Sequence, residues 1–309
     1  MSATKTGTPY DAAVIGAGPA GVAAADLLSS RGIRTVLIGE RFGGPPGKPD
    51  SRRDWLAPVL RGTALAKAAK AHLAGVPSLT VRLGSRVSAI RREQRGFAVE
   101  TDGGGDSEDS GDAYRTRVVL IATGTSPKRL DIPGEQPLSD RGVSYCIVCD
   151  APYFAGKRVV VICDEADGGE ETVEGLAELR KHARTVTLIT DPGTVRAIEG
   201  DRRVKAVRVR KGGKGRQGGK DVELKTDGVF VQLGRSPNTG PFRDLLKLDK
   251  AGHVPADPGS GATKVPGVFA AGDVTGGPYP SARVAFGEGT RAALALAEYL
   301  SRDSERKRG

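Results

Sequence analysis

Short apolar runs alternate with stretches of helical period along most of the chain. Residues 10–15 (YDAAVI) form a strand-like run, followed by G-A-G-P-A-G and an alanine-rich segment, 20–30, whose pattern predicts a helix. A second apolar run, 34–38, ends at Gly39-Glu40, which completes a βαβ opening. Residues 63–73 carry an Ala/Lys/Leu helical pattern, and strands are predicted at 80–83, 97–101 and 118–122. Residues 102–112 (DGGGDSEDSGD) hold nothing that can enter a core and predict a hairpin loop.

A second series starts near Lys128. Its strands are predicted at 158–162, 185–189, 204–209 and 230–233, with a helix over 170–182. The Gly- and cation-rich stretch 211–220 (KGGKGRQGGK) predicts a solvated turn. The chain then gives a strand at 267–271 and a closing helix at 287–300. Alternating strands and helices of this kind predict an α/β protein. The organisation expected is a first domain in two parts, 1–127 and 240–309, with an inserted domain at 128–239.

Composition narrows the class. With 309 residues, 38% of them hydrophobic, the chain is long enough for two cores. No apolar run reaches the roughly 18–20 residues that span a bilayer, so no membrane span is expected. The first ten residues lack the apolar core of a signal peptide, which leads to a cytoplasmic expectation. The formal charge of +10 suits an acidic protein partner as well as a merely Arg-rich surface, and no nucleic-acid motif accompanies it.

Two motifs carry chemistry. Gly16, Gly18 and Gly21 form G-x-G-x-x-G between a predicted strand and helix, with Glu40 at the end of the next strand. The first glycine permits the tight turn, the second a close approach of pyrophosphate, the third tight helix–strand packing. Glu40 is placed for ribose hydroxyls, and the spacing alone leaves FAD and NAD both open. The second motif is Cys146-Ile147-Val148-Cys149-Asp150. Two cysteines three positions apart can close a readily exchanged disulfide, and Asp150 is a nearby proton donor. A zinc site needs four ligands; no second pair exists, and His72, His182 and His253 lack ligand spacing, so no metal is expected. Inert core cysteines are the remaining alternative. Cys163 is the third cysteine.

The stretch A-T-G-T-S-P-K-R-L-D-I-P-G-E, then R-G-V-S-Y-C-I-V-C-D, L-G-R-S-P-N-T and V-F-A-A-G-D-V, resembles low-molecular-weight thioredoxin reductases over nearly the whole length. The resemblance implies a flavoprotein with two dinucleotide-binding domains: an FAD domain and an inserted NADPH-domain-like unit carrying the C-x-x-C. It implies FAD contacts from Gly16, Gly18, Pro19, Ala20, Gly21, Glu40, Arg41, Gly44, Val87, Ala122, Thr123, Gly124, Gly272, Asp273, Ser281 and Ala282, with Asp273 on the ribityl chain. Cys149 would face the flavin, Cys146 would attack the partner's disulfide, and Asp150 would be the general acid. A thioredoxin-like protein or small dithiol partner, a homodimer and rotation of the inserted domain are also implied.

The chain departs from this pattern where the inserted domain should bind NADPH. The expected V-I-G-G-G-x-S/T-A-x-E-E is V-I-C-D-E-A-D-G-G-E-E at 161–171, which places Asp164, Glu165 and Asp167 beside two phosphates. Like charges ~4 Å apart at an effective dielectric near 20 repel by roughly 4 kcal/mol per pair before screening. The expected H-R-R-x-x-x-R is T-D-P-G-T-V-R at 190–196, which keeps only Arg196. NADPH is therefore not expected. In this the chain resembles ferredoxin-linked flavin thioredoxin reductases and diflavin-linked disulfide oxidoreductases, and +10 suits an acidic ferredoxin donor. The alternatives are a dithiol oxidase or a two-flavin enzyme run in reverse, an NADPH enzyme with an atypical site, and a non-enzymatic flavin redox sensor. Near the flavin, Gly43-Gly44-Pro45 replaces G-G-Q and Pro280-Ser281-Ala282 replaces R-Q-A. Trp55, Tyr279 and Phe286 are candidates to stack on the ring, or simply to pack.

Overall fold

The computed structural model describes residues 9–42, 62–102, 112–164, 170–212 and 219–306. Two compact units result, Met1–Ser126 with Pro237–Gly309, and Pro127–Ser236. These limits differ by a few residues from the expected 127/128 and 239/240.

In chain order the larger unit begins with β1 (Tyr10–Ile15), α1 (Pro19–Ser30), β2 (Thr35–Gly39), α2 (Gly62–Leu73), β3 (Leu79–Leu83), β4 (Arg86–Glu93), β5 (Gly96–Asp102), β6 (Ala113–Ile121) and β7 (Thr125–Pro127). The smaller unit follows with β8 (Val143–Ser144), α3 (Ile147–Asp150), β9 (Arg158–Cys163), α4 (Glu170–His182), β10 (Thr185–Ile189), β11 (Val195–Gly200), β12 (Val204–Lys211), β13 (Lys220–Lys225), β14 (Gly228–Gln232) and β15 (Arg235–Pro237). The chain returns through β16 (Val268–Ala270) and α5 (Ala282–Arg306).

The larger unit is built on a seven-stranded sheet in the order β3-β2-β1-β6-β5-β4, with β16 also on β6. The pairs among β1, β2, β3, β6 and β16 are parallel, and β4, β5 and β6 form an antiparallel meander. Strand side chains alternate between faces. Ala12, Val14, Leu37, Val118 and Leu120 accordingly pack with α1 and α5, while Ala13, Ile15, Val36, Ile38, Val119 and Ile121 meet Phe97, Phe242 and Val274 on the other face. Both faces being covered explains why these strands read as continuous apolar runs.

The smaller unit repeats this logic. Its parallel sheet runs β10-β9-β14-β8. Val160, Ile162, Val229 and Val231 pack on the antiparallel sheet β11-β12-β13 through Ile198, Val207 and Val209. Val159, Val161 and Phe230 pack on Leu179 of α4, and on Phe154 and Ile147.

Three elements differ instructively from the sequence pattern. Strand β4 has a register shift between Val87 and Ala89, which breaks the period-two signal, and its buried residues are Val87 and Ile90. Strand β13 (KDVELK) is mostly charged and escapes a hydrophobicity reading. Helix α5 starts at Ala282 rather than 287. Its internal Gly289 is there for packing: a Cβ at that position would lie 2.1 Å from the Ala20 carbonyl oxygen. The hairpin tip at 103–111 and the turn at 213–218 lie outside the described residues. Among the described residues no helix is long and apolar enough to cross a membrane.

Where β9 begins, the Arg158 N–H and Nε donate to Asp227 Oδ2 at 2.9 and 3.2 Å, and Nη2 donates to Oδ1 at 3.1 Å. The hydrogen bonds from Arg158 hold the Asp227 carboxyl below its usual range. A depressed folded-state pKa gives stability that is present above the unfolded value, about 4, and is lost as pH falls through the folded one. Both side chains are more than a third exposed, so the pair contributes no more than about 1 kcal/mol. Asp227→Asn should therefore unfold at lower urea than the parent at pH 7, the gap closing once pH falls well below 4.

Candidate active site

Val143 and Ser144 are buried as β8 pairs with β14, Val143 opposite Val229 and Ser144 opposite Phe230. The chain then leaves the sheet at its C-terminal end, where open α/β sheets place their chemistry. Ser144 Oγ accepts the Cys146 N–H at 3.2 Å and donates to the Cys146 carbonyl at 3.3 Å. Cys146 is extended (φ −141°) and caps the short helix α3, its Sγ accepting the Cys149 N–H at 3.2 Å. Cys146 and Cys149 are joined in a disulfide, with their Cα atoms 5.3 Å apart. The Asp150 N–H closes the turn on the Cys146 carbonyl at 3.2 Å.

The two residues between the cysteines face opposite ways. Ile147 is buried and packs on α4 at Gly175, where a Cβ would come within 3.0 Å of the Ile147 Cβ. Val148 is 51% exposed. Both cysteines are partly exposed, whereas Cys163, at the end of β9, is buried and takes no part in a disulfide. The geometry allows thiol–disulfide exchange at the pair and hinders it at Cys163.

In the larger unit three distant stretches of sequence converge on the start of α1. At the C-terminal ends of the strands, Gly16 N–H donates to Ile38 O (2.7 Å), Ala122 N–H to Ile15 O (2.7 Å) and Ala271 N–H to Ile121 O (3.0 Å). Gly16 has φ +105°, and a Cβ on it would stand 2.3 Å from the Ala122 oxygen. Gly18 is the N-cap of α1, makes no side-chain cap bond, and a Cβ there would meet nothing within 4 Å. Pro19 opens the helix with the φ it requires, Ala20 is buried, and no acidic residue stands in the first turn. The first amides of α1 are thus left for an anion, with open space before them.

Gly272 (φ +81°) approaches Ala20, and its N–H donates to Glu288 Oε2 of α5 at 2.8 Å. Asp273 begins the following 3-10 turn, and Ser281 Oγ accepts the Val284 N–H at the head of α5, whose first residue is Ala282. Thr123 Oγ1 donates to the Asn238 carbonyl at 2.8 Å, and Gly124 takes φ +62°. Glu40 and Arg41 are exposed after β2, and the Glu40 carboxylate meets Arg86 at 2.9 Å. Val87 lies in the core with 5% exposure, opposite Thr101 of β5, so its side chain is not presented to a ligand. Gly44 and Trp55 lie outside the described residues, as do Glu165 and Asp167. Tyr279 is 75% exposed and Phe286 partly buried. Sequence reasoning missed Glu135, Ser144, Arg86 and Glu288. Each acts on backbone or on another side chain, Arg86 and Glu288 on partners far away in sequence, and no spacing marks such contacts. Among the described residues no group of three or more His, Cys, Asp or Glu gathers as a metal site.

A glycine turn opening one α/β unit and a C-x-x-C disulfide at a strand end of the other define a disulfide-carrying protein of nucleotide-binding fold. The family model for pyridine nucleotide-disulphide oxidoreductases matches residues 10–191 and 170–289, and the chain belongs to that family. It is 33% identical over 96% of its length to the F component of the alkyl hydroperoxide reductase of Pseudomonas putida, and covers 59% of that protein. The chain thus spans about six-tenths of the length of the curated relatives it matches. Among solved structures it is similar to the thioredoxin reductase of Streptococcus pyogenes (TM-score 0.74, 26% identity, 95% of this chain and 98% of that one). It is also similar to that of T. acidophilum (TM-score 0.62, 30% identity, 96% and 99%).

Titration with a thiol reagent checks the site directly. The folded, oxidised protein should show no fast-reacting thiol, the denatured one a single thiol from Cys163, and the reduced and denatured one all three cysteines.

Proposed function

We propose that the chain is an FAD-dependent thiol–disulfide oxidoreductase of thioredoxin reductase type. It exchanges electrons between FAD, the Cys146–Cys149 pair and a thioredoxin-like dithiol or disulfide partner. The observation that carries this reading is the partly exposed disulfide at the C-terminal end of β8. The residues around Gly16 fit a flavin dinucleotide: bare backbone at Gly18, free amides on α1, and Asp273 and Ser281 on the same side of the sheet ends. When bound, the flavin would supply a two-electron store for the disulfide.

The chain's own residues perform the exchange. Reduction adds two electrons and two protons to the disulfide and yields two thiols. Cys146, as thiolate, attacks one sulfur of the partner's disulfide; a mixed disulfide forms and the partner's other sulfur leaves as a thiolate, with Asp150 as the proposed proton donor. Cys149 then attacks Cys146 Sγ, releases the partner as a dithiol and restores the Cys146–Cys149 bond. The Cys149 N–H, already directed at Cys146 Sγ, favours negative charge there.

The electron source in this reading is not NADPH but another donor, such as an acidic ferredoxin. In support, Cys163 fills with a side chain the place where β9 would meet the nucleotide's bare turn. Asp191 stands after β10, its carboxylate accepting the Gly193 N–H. Of the expected H-R-R-x-x-x-R only Arg196 is kept, and it is partly buried. A homodimer and a cytoplasmic setting belong to the same proposal. The likeness to the F component of alkyl hydroperoxide reductases favours a second reading, in which the same disulfide feeds a peroxide-reducing partner.

Anaerobic titration of the flavin decides the donor. Dithionite or reduced ferredoxin should bleach it, with electrons reaching a thioredoxin disulfide, while micromolar NADPH or NADH leaves it oxidised; rapid bleaching by either nucleotide would refute the donor assignment. Cys149→Ser should abolish transfer to the partner disulfide while flavin remains bound. Gly18→Glu should yield protein without flavin, because the added carboxylate faces the pyrophosphate.

A further inference from the structure

Glu135 is a charged-type residue deep in the smaller unit, 2% exposed, ten positions before Tyr145. Its side chain receives three hydrogen bonds. Leu130 N–H donates to Oε1 at 3.1 Å, Asp131 N–H to Oε2 at 2.7 Å, and the Tyr145 hydroxyl to Oε1 at 3.1 Å. A buried carboxyl group with donors on both oxygens is costly to disturb, since removing one partner strands another. Asp131 is held at φ +53°, a conformation that non-glycine residues rarely adopt. Burial first, then the neighbouring Glu135, raises the Tyr145 phenol well above its usual range, so it stays protonated and remains a donor.

Tyr145 immediately precedes Cys146. Just before it, Ser144 Oγ bonds both the N–H and the carbonyl of Cys146. Strand β8 ends at Ser144 and the chain bends at Tyr145, whose side chain packs in the same core as Val143. The segment entering the disulfide is therefore pinned at two successive residues, Cys146 by the Ser144 hydroxyl and Tyr145 by the Glu135 carboxyl.

We infer that Glu135 is a positioning residue for the Cys146–Cys149 pair, acting through the Tyr145 hydroxyl. This rests on the exchangeable disulfide of the proposed function. Reduction removes the covalent link that holds Cys146 beside Cys149, and after that step the pins keep the two sulfurs within reach. Their high effective concentration favours ring closure, so it stabilises the disulfide against the dithiol and speeds resolution of a mixed disulfide. Releasing the clamp lowers that concentration.

The test is the redox equilibrium of the pair in the full chain, set by mixtures of reduced and oxidised dithiothreitol and read by alkylation and mass. Tyr145→Phe, which removes one oxygen and keeps the ring, should shift the equilibrium at least threefold toward the dithiol; tenfold would equal about 30 mV. Glu135→Gln should shift it the same way, and the double variant no further than the larger single shift. A purely structural clamp would lower the melting temperature of both redox forms alike and leave their ratio unchanged. An unchanged ratio in folded Tyr145→Phe overturns the inference, even if Glu135→Gln fails to fold. A parent disulfide that dithiothreitol cannot reduce in the folded protein would instead sink the redox reading, and this inference with it.

Discussion

In the larger unit the carbonyl oxygen of Gly16 occupies the place where a side chain at position 21 would begin: a Cβ on Gly21 would lie 1.7 Å from it. Helix α1 can lie against the end of β1 only because both positions are glycine. Ala122 closes the same contact from β6, and Gly289 lets α5 settle on Ala20. Three strand ends, two helices and the Gly272 turn are thereby brought within touching distance. The open space before Gly18 accompanies this crowding, which Gly16, Gly21 and Gly289 permit by leaving room for neighbouring backbone.

The smaller unit meets the same problem with other means. Its parallel sheet also delivers residues at the C-terminal ends of strands, but side chains hold the ends in place. Ser144 fixes Cys146 after β8, Cys163 is buried at the end of β9, and Asp191 caps the turn after β10. A glycine turn makes room for a ligand, whereas a side-chain-filled turn makes rigidity. The pattern suits a unit whose chemistry is carried on two sulfurs of its own chain.

Much of this was legible in the residues. The apolar runs that became β1, β2, β9 and β14 are largely buried, so burial wrote itself into composition. Gly16, Gly18, Gly21, Cys146 and Cys149 declared themselves by spacing, because their roles depend on local chain geometry. What stayed hidden depends on single contacts that no regular spacing marks. Arg86 reaches Glu40 across the sheet, Glu288 reaches Gly272 from another element, and Glu135 reaches forward to Tyr145. An isolated glutamate has no periodic signature that distinguishes a buried acceptor from a solvated one. The bulge in β4 hid a strand in the same way, by shifting the phase of its pattern midway.

Strand β6 pairs with β5 along its first half and with β16 along its second. The first pairing joins near neighbours in the chain, while the second waits for residues made only after the entire smaller unit. On a ribosome the antiparallel meander and the inserted unit can each form early, from contacts of modest contact order. The larger core cannot close until β16 and α5 emerge to cover α1, which leaves the apolar side of β1 and β6 open in the meantime. A compact inserted unit shortens the effective loop that must be closed at that point. The order of synthesis therefore makes the segment from Pro237 onward the latch of a fold whose first strand was laid down at Tyr10.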